Sequence, residues 1–91
     1  MAGVGRAVTI VNKRGLHARA SAKFVATAAQ MDGAKITVSK DGISAGGTSI
    51  LGLMMLGAAI GDTIEITVQG DDEQARLDEL VALVEGKFGE D

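Results

Sequence analysis

A two-layer α+β sandwich with one face of its sheet left to water is the fold class this sequence predicts, and three observations carry it. Segments of period-2 hydrophobicity alternate with segments of helical periodicity, in the order β-α-β-β-α-β-α. The strand-like segments are apolar only at every second position, so each has one dry side and one wet side. Of the 91 residues, 46% are apolar, which suits one modest core and a single domain over 1–91.

Taken in order, "RAVTIVN" sets Val8 and Ile10 on either side of Thr9 and reads as a short strand. Alanine-rich sequence from about Ala18 to Ala29 follows, with Phe24 and Ala28 on one face and Asp32-Gly33 closing it. Alanine is the best helix former, so propensity and pattern agree. "AKITVSK" alternates Ile36 and Val38 with polar residues. The Asp41-Gly42 pair in "KDGIS" then signals a type I′ hairpin turn, since both central positions need positive φ. The returning strand, around Ile43 to Ala45, is short. "SILGLMML" is an apolar helix with Thr48 or Ser49 as N-cap and Gly57 as its stop. "DTIEITVQ" alternates Ile64, Ile66 and Val68, giving the last strand. In "DDEQ", Asp71 followed by Gln74 resembles a capping box for a third helix carrying Leu77, Leu80, Val81 and Val84.

Composition excludes several function classes. Without cysteine there is neither a disulfide framework nor a thiolate metal site. A single histidine, with no tight acidic cluster, gives no basis for a metal, and no cofactor is called for. "MAGVGRAVTIV" lacks the apolar core of a signal peptide, and no apolar run is long enough to span a bilayer; a soluble cytoplasmic domain is expected. No G-x-S-x-G elbow supports a serine hydrolase. "SAGGTSILG" lacks the G-K-[ST] of a phosphate loop and reads as a strand-to-helix turn. Nucleic acid is disfavoured because the net charge is −3 and there is no aromatic stacking platform.

That net charge hides an asymmetry. Up to Gln30 every charged side chain is basic: Arg6, Lys13, Arg14, Arg19 and Lys23. From Asp62 onward ten acids stand against Arg76 and Lys87. The basic third favours an anionic ligand or an acidic protein surface, and it contains the only histidine, His17. His17 lies at or beside the first helix's N-cap. There the positive end of the helix dipole favours a neutral, nucleophilic ring. The backbone N–H groups of Ala18 and Arg19 offer an anion site next to it, and the Arg19 guanidinium can clamp phosphate oxygens. A nucleophilic nitrogen beside an oxyanion receptor is what a transient phosphohistidine requires. A solvent-exposed capping histidine accounts for the same residues without chemistry.

"GLHARASAKFV" resembles the active-site motif G-[LM]-H-[AT]-R-P-[AS] of HPr, the phosphocarrier family of the phosphoenolpyruvate-dependent phosphotransferase system. The similarity extends through "GGTSILGLMMLGA" and "GDTIEITVQGDDEQARLDELVALV". The resemblance implies an open-faced sandwich of four antiparallel strands covered on one face by three helices. It implies phosphorylation of His17 on Nδ1 by enzyme I, transfer onward to an enzyme IIA protein, and neutralisation of phosphate charge by Arg19. Such a chain is a carrier with a covalent intermediate, not a free-standing enzyme. Ser49 matches the serine that a dedicated kinase phosphorylates, and a phosphorylase restores, in many members. Docking of partners is expected on Leu16 and Ala20 together with Ile50, Leu51 and Met54, while Leu53 and Leu56 face inward. Lys13, Arg14 and Lys23 are candidate steering charges. "GLMML" and "GKFGED" look closer to the nitrogen-related branch, whose role is regulatory. A stoichiometric module that binds regulatory proteins, switched by His17 or Ser49 phosphorylation, is the alternative, and a monomer is expected. One departure stands inside the motif: Ala20 occupies the usual proline position. Proline there lacks an N–H and presets φ, so alanine is expected to leave phosphorylation intact and change phosphate lifetime.

Overall fold

The computed structural model describes residues 3–90, so the first residues of "MAGVGRAVTIV" and the last of "GKFGED" lie outside the described residues. The strands are β1 (Val4–Thr9), β2 (Ala34–Lys40), β3 (Ile43–Gly46) and β4 (Thr63–Gly70). The helices are α1 (Ala18–Ala28), α2 (Ile50–Met55) and α3 (Glu73–Glu85), followed by a short turn at Lys87–Gly89. All neighbouring strands are antiparallel, in the order β1-β4-β2-β3.

Register explains the layering. Val8 lies opposite Ile64, Val38 opposite Ile66 and Ile36 opposite Val68, and all six are buried. These pairs make one continuous apolar face, on which Phe24, Leu53, Leu77, Leu80, Val81 and Val84 close from the helices. Each large side chain buried this way stabilises the fold by about 1.5–3 kcal/mol. On the other face Thr37 meets Thr67 and Glu65 is exposed, so that face stays wet. Asp41 and Gly42 both have positive φ, 51° and 82°, as a type I′ turn requires.

Two boundaries differ from the sequence reading. The first helix ends at Ala28, with Ala29 as C-cap, and the chain reverses through Gly33 at φ 81°. At the third helix the N-cap is Asp72, at φ 51° and without a side-chain cap bond, rather than Asp71. Asp71 lies instead against Gly33, whose carbonyl accepts its backbone N–H at 3.1 Å. The expected capping box is therefore absent: Glu73 accepts from the Gly70 N–H at 3.2 Å, and Gln74 donates along the helix to Asp78 at 3.0 Å. Among the described residues no helix is long and apolar enough to cross a membrane.

Candidate functional site

The site is built where β1 hands over to α1. After Thr9 the chain stays tied to the loop preceding β4: Ile10 donates to the Asp62 carbonyl and accepts from Gly61, each at 2.8 Å. Gly15 then turns at φ 63°, and a Cβ there would run into the Ala58 carbonyl. Only glycine meets both conditions. The close approach lets Leu16 donate to that same carbonyl at 2.9 Å, which sets the entry angle of the next residue.

That residue is His17, the N-cap of α1, with extended backbone (φ −76°, ψ −177°). Its Nδ1 accepts from the Arg19 N–H at 3.2 Å, so the ring does the work usually done by a capping hydroxyl or carboxylate. Its Nε2 lies 2.7 Å from a carboxylate oxygen of Glu90. The two contacts assign one tautomer. Nδ1 must be bare to accept from a backbone N–H, so Nε2 carries the hydrogen and donates it to Glu90.

Glu90 is held from several sides. Its other oxygen accepts from the Asn12 amide at 3.1 Å, and that amide also donates to the Gly15 carbonyl at 2.9 Å. Lys23 donates to the Phe88 carbonyl at 2.7 Å. Phe88 is buried in the core even though Lys87, Phe88 and Gly89 all have positive φ, at 60°, 54° and 77°. Left-handed conformation costs about 1–2 kcal/mol at each non-glycine residue. Burying a phenylalanine returns about 1.5–3 kcal/mol, so the two nearly cancel and the polar tethers decide whether the tail stays in place. Partial burial alone would raise the Glu90 carboxyl. Hydrogen bonds from His17 and Asn12, with the charge of Arg19, outweigh this and hold it below the ordinary glutamate value.

Around the ring opens a cleft of about 580 Å³ lined by Lys13, Arg14, His17, Arg19, Lys23, Gly89 and Glu90. Among the described residues four cationic side chains line it against one carboxylate, a balance that favours a small anion. The Arg19 guanidinium has no hydrogen-bonded partner among the described residues and is free to meet one. Lys23 is partly committed to the Phe88 carbonyl, so it anchors the tail as well as contributing charge.

Three sequence expectations need correction here. The Arg19 N–H is not free, because the His17 ring occupies it; Ala18 is exposed and has no such contact. Leu16 and Ala20, expected on a docking surface, are 5% and 0% exposed. Both flank the histidine in sequence, but the turn at Gly15 and the helical period of α1 point them into the core with Phe24. Ala20 donates no intrahelical bond, since the first one runs from Ser21 to the His17 carbonyl. Proline at this position would therefore remove no helix hydrogen bond.

Ser49 caps α2, its hydroxyl accepting from the Gly52 N–H at 3.0 Å. Ile50, Leu51 and Met54 are exposed on that helix, and Leu53 and Leu56 are buried. Met55, at 74% the most exposed large apolar side chain among the described residues, belongs with them and was legible only as part of an all-round apolar run. α2 packs directly against α1. Asn12 and Glu90 were missed by sequence reasoning, since nothing local marks either residue.

A family model for the PTS HPr component phosphorylation site matches residues 4–86. Among curated proteins, the phosphocarrier protein HPr of Cupriavidus necator is 45% identical over 85 residues, covering 93% of this chain and 94% of that protein. The phosphocarrier protein NPr of Shewanella violacea is 46% identical over 85 residues, covering 93% and 92%. Among solved structures, HPr of Thermoanaerobacter tengcongensis superposes with a TM-score of 0.90 at 41% identity, over 97% of this chain and 98% of that one.

Proposed function

The chain belongs to the HPr family of phosphocarrier proteins, and from that premise we propose that it takes a phosphoryl group from phospho-enzyme I on His17 and passes it to an enzyme IIA protein. The observation that carries this reading is the bare Nδ1 of His17, seated at a helix N-terminus beside a guanidinium that has no hydrogen-bonded partner among the described residues. In the transfer, the Nδ1 lone pair forms the bond to phosphorus while the bond from phosphorus to the donor atom breaks. The Arg19 N–H, released from Nδ1, turns to a phosphoryl oxygen, and the Arg19 guanidinium takes the others. Hydrogen bonds and charge of this kind hold the group without enclosing it, as a carrier that must release it requires.

Partners dock on the exposed apolar side chains Ile50, Leu51, Met54 and Met55, next to α1. Flexible methionines on such a patch suit more than one partner. Ser49 is the regulatory phosphorylation site of this reading. A phosphate there would meet the start of α2 where the hydroxyl now accepts from Gly52, and it would put negative charge at the edge of the docking surface. The regulatory, nitrogen-related output rests on the "GLMML" and "GKFGED" segments, and relatives of both names match at 45% and 46% identity. Phosphoryl transfer to a nitrogen-type against a sugar-type IIA protein separates the two outputs.

Incubation with phosphoenolpyruvate and enzyme I tests the main reading. An acid-labile, alkali-stable phosphate is expected on the parent and none on His17→Ala. A parent that stays unmodified overturns it.

A further inference from the structure

We propose that Glu90 is a positioning residue for phosphoryl transfer, its carboxylate fixing the His17 tautomer that leaves Nδ1 free and steadying the ring once Nδ1 carries phosphate. This rests on His17 being the phosphoryl acceptor.

The contact differs from an ordinary surface ion pair, which contributes little. The His17 and Glu90 side chains are only 23% and 18% exposed, and their separation is 2.7 Å. Both carboxylate oxygens are engaged, one by Nε2 and one by Asn12. The segment that carries Glu90 is pinned by the buried Phe88 ring and by Lys23. A carboxylate facing incoming phosphate would oppose binding, and among the described residues Glu90 is the one acid lining a cleft otherwise surrounded by Lys13, Arg14, Arg19 and Lys23. Its position resolves the conflict. It meets the ring at Nε2, the nitrogen away from the one that caps the helix, so it acts on the ring and not on the phosphate receptor.

The chemical consequence follows from charge balance. When neutral imidazole attacks through Nδ1, the lone pair becomes the new N–P bond and the ring acquires a positive charge shared with Nε2–H. The bond from phosphorus to the donor breaks and its electron pair leaves with the donor. A carboxylate already bonded to Nε2–H stabilises that cation as it forms. Holding the proton on Nε2 also keeps the ring a good leaving group for the next transfer. A carboxylate orients the imidazole in serine hydrolases in the same manner, although there the free nitrogen acts as a base and here it is the nucleophile.

The test compares the parent with Glu90→Ala, Glu90→Gln and Glu90→Asp by two readouts. Imidazole nitrogen shifts in NMR of the unphosphorylated protein report the tautomer, and stopped-flow transfer from phospho-enzyme I reports the rate. Glu90→Ala is expected to populate both tautomers and to slow transfer on the order of tenfold, below the 10²-fold or more of fully enclosed acid–base partners. Glu90→Gln keeps an acceptor for Nε2–H, so it should retain the tautomer but not the full rate. Glu90→Asp should recover part of both. Unchanged tautomer populations in Glu90→Ala overturn the proposal, as does an unchanged rate. A parent that takes no phosphate on His17 overturns the carrier reading instead, and the tautomer measurement is read without phosphate.

Discussion

Two helices of this protein begin in opposite ways. α3 neutralises its own positive end: Glu73 stands in its first turn, two aspartates precede it, and the Glu73 carboxylate takes the Gly70 N–H. A carboxylate at such a position stabilises a helix by about 0.3–1 kcal/mol. α1 has no acidic residue in its first turn, and its cap is an imidazole. The Glu90 carboxylate, 73 positions along the chain, binds the ring rather than the N–H groups. Acids of its own sequence stand at the start of α3, whereas the start of α1, the proposed phosphoryl acceptor site, carries none.

Detaching the tail should break this contrast most severely. Phe88→Ala is expected to cost about 3–5 kcal/mol of stability, measured by urea unfolding, because the ring is fully enclosed and the left-handed turn loses what offsets it. Giving α1 the acid that α3 already has should separate stability from function. Ala18→Glu, at an exposed first-turn position, is expected to raise stability by about 0.3–1 kcal/mol. The same change should slow phosphorylation of His17 at least about tenfold, because a new negative charge faces the phosphate. Urea unfolding together with the enzyme I assay checks both signs.

The smallest effect is on pH dependence. The Glu90 carboxyl sits below the ordinary glutamate value in the folded protein, so its contribution is complete above the unfolded value and fades as pH falls through the folded one. The difference in urea midpoint between the parent and Glu90→Gln should therefore shrink on acidification and stay constant from mildly acidic to neutral pH.

Most of the frame was legible because its signals are local. Asp41-Gly42 dictates its own turn, the alternation of Ile64, Ile66 and Val68 its own register, and Ser49 its own cap. His17 could be placed at a helix start for the same reason. The Glu90 contact spans 73 positions and depends on where the tail lands, which no local pattern encodes. Leu16 and Ala20 misled for a related reason. Sequence neighbours of a cleft residue need not face the cleft, and the motif around His17 is half core. At "DDEQ" two aspartates and a glutamate competed for one cap, and the left-handed turn at Asp72 decided among them.

The strand order has a consequence for assembly in time. β4 lies between β1 and β2, so the sheet stays open until residues near the end of the chain are available, whereas the β2–β3 hairpin needs only its neighbours. Long-range pairings of this sort are the slow part of folding. The bonds that seat the histidine, from Leu16 to Ala58 and from Ile10 to Asp62, are long-range as well, and the Glu90 contact spans 73 positions. A nascent chain can thus display His17 before the carboxylate that meets its ring is in place.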